Sequence, residues 1–362
     1  MDPLIPDYDG ACLSNVAPAL LEHRIPTPSW LPTPAVGAPQ VVLLLLDGLG
    51  WDQLEERRAL VPTLASMEGG PISTVAPSTT ATALSSLALG CPPGDHGVVG
   101  YRINVRGDVL NVLRWRTPAG DARTIIPPDD IQARLPFLGR HPPVVTRAEF
   151  AGTGFTSAHL AGVRHYGYRV VSTLVTEVRD LLRAGEPFVY AYYDGVDKVA
   201  HEYGLADHYD AELVAADRLV ADLASVLPPD ASLVVTSDHG QVQVGDAIVP
   251  IYDEVMDHVE LLSGEGRFRW LHARPGAAED LAMVTRECHG ARAWVRTREE
   301  VVAEEWFGPK VSDAAAARFG DVVLAARDDV AFEDPADTGP YRLQSRHGSL
   351  TSAEMRVPLL AI

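Results

Sequence analysis

Cysteine is scarce in this 362-residue chain. Cys12, Cys91 and Cys288 are an odd number with no Cys-x-x-Cys pair. That argues against a disulfide framework and a thiolate zinc site, and fits a reducing compartment. Basic residues are also few, 30 Lys and Arg against 49 Asp and Glu, giving a formal charge of −19. Bulk nucleic acid is a disfavoured partner on that balance, because such binding draws its energy from clustered cations releasing counterions. Long apolar runs are missing as well: the strongest, Val41–Leu46, falls far short of the roughly 20 residues a bilayer-spanning helix needs. The Met1-Asp2-Pro3 opening has no basic segment before an apolar core, so no signal peptide is evident and a cytoplasmic protein is expected. Low-complexity tracts, internal repeats and a Gly-x-Ser-x-Gly nucleophile elbow are absent too, the last arguing against a serine hydrolase.

What is present is an α/β pattern. Residues 1–39 are aperiodic and carry Pro26, Pro28, Pro32, Pro34 and Pro39, and read as an arm laid over the surface. From residue 40 onward, short apolar runs of strand length recur: 41–46, 188–193, 232–236, 321–324 and 357–362. Unbroken apolar runs of this kind mark strands covered on both faces of a parallel sheet. Helical patterns at 79–89, 170–183 and 208–227 lie among them, so the expected fold is a doubly wound, mostly parallel sheet with helices on both faces. Two stretches, about 101–150 and 243–330, break the rhythm and read as cap elements inserted into a single domain spanning 40–362.

The chemistry collects at the ends of these runs. Asp47 follows the first, Asp194 and Asp197 follow the second with His201 four residues beyond Asp197, and Asp238-His239-Gly240 follows the third; His347-Gly348 precedes the last. Open α/β sheets place their ligands at the carboxyl ends of strands. Carboxylates beside a dry core need a cation or a donor, and Asp with His is the ligand set zinc takes when Cys is absent. Six ligands exceed what one tetrahedral ion with an open position uses, so two ions are expected; manganese or cobalt accept similar ligands.

A second motif runs from Ala76 to Gly97. Pro77 followed by Ser78, Thr79 and Thr80 marks a helix N-terminus, where free amides and the helix dipole attract an anion such as phosphate. His96, His159, His165 and His289 have no partners placed by the sequence and are taken as structural. Trp115, Tyr166 and Trp270 are read as core aromatics before base-stacking ones.

These residues, in this order, resemble the alkaline phosphatase superfamily, and within it the nucleotide pyrophosphatase/phosphodiesterase branch. The pattern is an Asp after the first core strand, a Thr or Ser at a helix start followed by Gly-x-x-Pro-x-x-His-Gly, then Asp-x3-His, Ser-Asp-His-Gly and a late His-Gly. It is met here by Asp47, Thr79/Thr80 with Gly90–Gly97, Asp197/His201, Ser237–Gly240 and His347-Gly348. The resemblance implies one zinc on Asp197, His201 and His347, and a second on Asp47, Asp238 and His239. It also implies a bridging nucleophile that the gapless count from Gly90 puts at Thr80, with Thr79 one register away. One position departs from the pattern: an Asn expected three residues after Thr80 is Ala83.

The implied activity is hydrolysis of a small phosphate-ester substrate, a nucleotide or other diester, by a phosphodiesterase or nucleotide pyrophosphatase. A phosphomonoesterase, a phosphonate hydrolase and a catalytically silent metal-binding module are the alternatives. A sulfatase is disfavoured because the motif lacks Cys-x-Pro-x-Arg.

Overall fold

A computed structural model describes residues 2–22, 26–337 and 342–362. Seven strands form the central sheet: β1 Gln40–Leu46, β2 Glu68–Ser73, β3 Pro143–Arg147, β4 Arg164–Tyr168, β5 Phe188–Tyr193, β6 Ala231–Thr236 and β7 Arg356–Ala361. Their order is β2-β7-β6-β1-β5-β3-β4. Strands β6, β1, β5, β3 and β4 pair in parallel. Only β7 runs against its neighbours.

Both faces of β1 are dry, which is why its sequence is an apolar run without alternation. Val41, Leu43 and Leu45 enter one core with the N-terminal segment and helix α1, Thr80–Leu89. Val42, Leu44 and Leu46 enter a second core with α2, Val171–Arg183, and α4, Asp207–Ser225. A short helix α3, Gly195–Tyr203, follows β5. Register then aligns the strand ends: Leu46 pairs with Tyr193 and Leu45 with Thr236. The residues that follow, Asp47, Asp194 and Asp238, therefore emerge along one edge of the sheet.

Several elements differ from the sequence reading. The segment before β1 does not merely lie over the surface: it folds a helix at Val16–Glu22 and buries Cys12, Leu13, Val16 and Leu20 in the first core. The 101–150 stretch contains a small antiparallel meander over 102–121, but its end is β3, a strand of the central sheet. The apolar run at 321–324 is not in the central sheet. It lies within Val322–Ala326, an inner strand of a separate four-stranded antiparallel sheet with Val259–Glu265, Phe268–Ala273 and Ala293–Thr297. A helix at Ala278–His289 covers one face of that sheet and the other packs into the main core, so burial on both faces gives it the same signature as a parallel strand. Among the described residues no helix is long and apolar enough to cross a membrane.

Candidate active site

Four segments converge at the carboxyl edge of the sheet. Asp47 and Asp238 are buried at the ends of β1 and β6, His239 follows Asp238, Asp197 and His201 sit one turn apart on α3, and His347 enters from the loop before β7. His239 Nε2 lies 3.5 Å from Asp47 Oδ1 and 3.4 Å from Asp238 Oδ2. His201 Nε2 lies 3.3 Å and His347 Nε2 3.9 Å from Asp197 Oδ1. The rings of His239 and His347 stack with centroids 3.5 Å apart.

The imidazoles share one orientation. His201 Nδ1 faces Ser345 O at 2.8 Å, His239 Nδ1 faces Gly240 O at 3.0 Å and His347 Nδ1 faces Ser78 O at 3.0 Å. A carbonyl only accepts, so each Nδ1 carries a proton and each Nε2 is the ring nitrogen turned towards the carboxylates. A cation placed among these Nε2 atoms and carboxylate oxygens would be met by both kinds of donor. Asp47 Oδ1 and Asp238 Oδ2 are also buried without a hydrogen-bond partner, so the residues fit a bound metal. Two donor sets each gather within 4.8 Å: Asp47, Asp238 and His239, and Asp197, His239 and His347. His239 stands between the two, beside both groups of ligands that the resemblance separated.

Other side chains fix these donors. Tyr192 donates to Asp47 Oδ2. Gln241 Nε2 donates to Asp197 Oδ1 at 2.6 Å, and Gly48 N to Asp238 Oδ1 at 3.0 Å. Asp194 is engaged by other partners, Arg147 at 2.6 Å and Lys198 at 2.5 Å.

The hydroxyl run divides at the start of α1. Thr79 is the N-cap, and its hydroxyl donates to Glu265 Oε2 at 3.2 Å. Thr80, the first helical residue, has its Oγ1 3.1 Å from His239 Nε2. Ser78 Oγ donates to Ser349 O. Ala83 is fully buried on α1, so no polar group stands where the family pattern has Asn.

Tyr192, Gln241 and Glu265 were not singled out by sequence. Gln241 had a signal, being the residue after Asp-His-Gly. Glu265 had little, since it reaches Thr79 across 186 positions from the cap hairpin, formed by Val259–Glu265 and Phe268–Ala273. Of the other histidines, His96 takes a backbone proton from Val98 and meets Ser86 Oγ at 2.8 Å, and burial holds its pKa down to about 3. His159 stacks on Phe155 and is held down to about 4 by burial. Trp115 and Trp270 are buried in the core, Trp115 donating to Ile126 O, and Tyr166 packs at the edge of the second core.

Two cavities flank the cluster, and Thr80, Leu113 and Asp197 border both. One, about 400 Å³, is mainly apolar, with Leu84, Phe150, Phe155 and Tyr190 in its wall. The other, about 440 Å³, is lined by charged groups that include Glu265, Arg114, Arg342 and Arg346.

Burial raises the Asp47 carboxyl well above the ordinary carboxylate range, and the charges of Asp238 and Asp197 raise it further. Burial also raises Asp238. Burial, then the neighbouring His239 and His201, pushes His347 well below the usual imidazole range, so it stays neutral. A carboxyl raised above its unfolded value of about 3.9 binds its proton more tightly in the folded state, so its contribution fades as pH rises. Metal-free protein is therefore expected to melt at progressively lower temperature from about pH 4 towards neutrality, and Asp47→Asn to flatten that slope. Melting curves in chelator across this range check it; a profile rising with pH would contradict it.

Residues 41–169 and 161–350 match the family described as type I phosphodiesterase / nucleotide pyrophosphatase. No curated protein sequence matches the chain. Among solved structures, murine ectonucleotide pyrophosphatase/phosphodiesterase 5 is 16% identical with a TM-score of 0.66, over 89% of this chain and 87% of its own. An inactive threonine-to-alanine form of the murine protein is known in complex with AMP. Phosphonoacetate hydrolase from Sinorhizobium meliloti, in complex with phosphonoacetate, is 19% identical with a TM-score of 0.62 over 90% of each chain. These likenesses show the shared fold, and the family match covers most of the chain. The chain belongs to the type I phosphodiesterase/nucleotide pyrophosphatase family of the alkaline phosphatase superfamily, a family of metal-dependent hydrolases acting on phosphate esters.

Proposed function

We propose that the chain is a phosphodiesterase that cleaves small nucleotide-type diesters, with Thr80 Oγ1 as nucleophile and two zinc ions as cofactors. Asp197, His201 and His347 would hold one ion, and Asp47, Asp238 and His239 the other. The observation that carries the reading is the 3.1 Å approach of Thr80 Oγ1 to His239 Nε2 among buried, partnerless carboxylate oxygens. Thr79 is a weaker nucleophile candidate because its hydroxyl is engaged by Glu265.

When bound, the ions supply Lewis acidity, lowering the pKa of the hydroxyl and offsetting charge on the phosphoryl oxygens. The chain does the rest. The first turn of α1 presents free amides to the phosphoryl group. Thr80 Oγ1 forms a bond to phosphorus as the ester oxygen leaves from the opposite side; water then cleaves the phosphothreonine, returning the hydroxyl. Tyr192, Gln241 and the three carbonyls at Nδ1 keep the donors in place. Cavities on two sides of Thr80 leave room for two substituents on phosphorus, which supports a diester over a monoester.

Turnover of bis-p-nitrophenyl phosphate is expected to exceed that of p-nitrophenyl phosphate and to vanish on chelation. A preference for the monoester would instead make the protein a phosphatase using the same residues. A cytoplasmic location belongs to the proposal, supported by three free thiols, two of them buried; recovery of the native protein from an extracytoplasmic fraction would overturn it.

A further inference from the structure

Arg346 has no evident structural task. Its backbone pairs with Val242 in a two-stranded ladder, which fixes it immediately before His347. Its side chain borders the charged cavity with Thr80. Its Nε is shut off from solvent and makes no hydrogen bond, and among the described residues its guanidinium has no ion-pair partner within 4.0 Å.

The neighbouring charges of Asp337 and Glu265 act on Arg346 through space without forming an ion pair with it, and Glu265 Oε1 is itself buried without a hydrogen-bond partner. Asp337 accepts from Arg269 Nη2 at 3.0 Å, Arg342 pairs with Asp246 at 2.6 Å, and one oxygen of Glu265 is held by Thr79. Gly266 lies beneath the guanidinium: a Cβ there would come 2.9 Å from Arg346 Nη1, so the absence of a side chain at 266 makes room for it. A half-buried guanidinium without a partner is costly in a folded protein, and a planar fork of donors suits a phosphate or carboxylate. In a chain with a formal charge of −19, an anion drawn to this point needs a local cation.

The geometry points to Arg346 as the residue that binds a second anionic group of the substrate, a phosphate or carboxylate carried on one substituent of the scissile phosphorus. This rests on the phosphodiesterase reading above. The apolar cavity on the other side of Thr80 takes the uncharged substituent, so the two cavities sort the two ends of an unsymmetrical diester or anhydride.

The test is a ratio. Specificity constants are measured for ATP, which carries extra phosphates, and for bis-p-nitrophenyl phosphate, which carries none. Arg346→Met is expected to lower the ATP-to-diester ratio by about tenfold or more, and Arg346→Lys to recover part of it. Pyrophosphate and malonate as competitors separate the two anion chemistries, the preferred one losing about tenfold in inhibition by Arg346→Met. An unchanged ratio, or an equal fall on both substrates with no recovery by Lys, overturns the assignment. If the native enzyme cleaves the diester but neither cleaves ATP nor is inhibited by either anion, the assignment fails while the phosphodiesterase reading stands. If the diester is inert, that reading fails. Calorimetric titration of pyrophosphate into native protein and Arg346→Met then decides Arg346 alone: about tenfold weaker binding in the variant supports it, and equal affinity overturns it.

Discussion

Thr80→Ala is expected to lower turnover of bis-p-nitrophenyl phosphate by at least about 10³-fold, as loss of a covalent nucleophile does in other hydrolases, with metal content unchanged. The reason is positional. Thr80 is the hydroxyl of the Ser78–Thr80 run that faces His239, at 3.1 Å, while Ser78 bonds to Ser349 O and Thr79 to Glu265. Thr79→Ala removes one hydrogen bond, worth about 1 kcal/mol, and is expected to cost less than about tenfold in kcat. Comparable losses in the two variants would show that the register is wrong or that the covalent route does not operate.

The second large effect concerns stability. Arg267 and Glu354 are both buried, joined by bonds of 2.7 and 2.9 Å, and Arg267 also donates to the carbonyls of Asp328 and Val330. Glu354 accepts from Ser349 N, two residues beyond His347, and from Thr351 Oγ1. The pair ties the cap hairpin to the loop that delivers His347. Removing one partner leaves a buried charge, which typically costs about 3–5 kcal/mol. Arg267→Met and Glu354→Leu are each expected to destabilise by that order, whereas the double variant costs less than the sum of the two, because no charge is left unpaired. Denaturant melts of the two single variants and the double variant decide this; additive losses would show that the charges do not act as a pair.

How far the sequence reveals the fold and the site depends on how local the signal is. Asp47, Asp197, Asp238 and His239 were legible because each follows a strand whose apolar run is visible by itself, and register alone brings those ends to one edge. β3 and β4 were not. β4 is Arg164-His-Tyr-Gly-Tyr168 at the sheet's outer edge, largely exposed, and lacks the unbroken apolar run of a central strand. The run at 321–324 misled for the opposite reason, since burial on both faces looks the same in any sheet. The helix at Val16–Glu22 is only seven residues long and contains Pro18, too short and too interrupted to show a helical period. Glu265 and Arg346 face Thr79 and the cavity only because a cap hairpin and a two-residue ladder fold over the strand ends, and no periodicity reports such long-range contacts.

The central claim is that the buried Asp and His cluster works by holding two metal ions around Thr80. Its most direct test is to strip the protein with chelator and titrate zinc back while following bis-p-nitrophenyl phosphate turnover. Activity that is absent without metal and reaches its plateau at two equivalents per chain is the predicted result. Full turnover by the stripped protein, or activity that does not respond to added zinc, would contradict it.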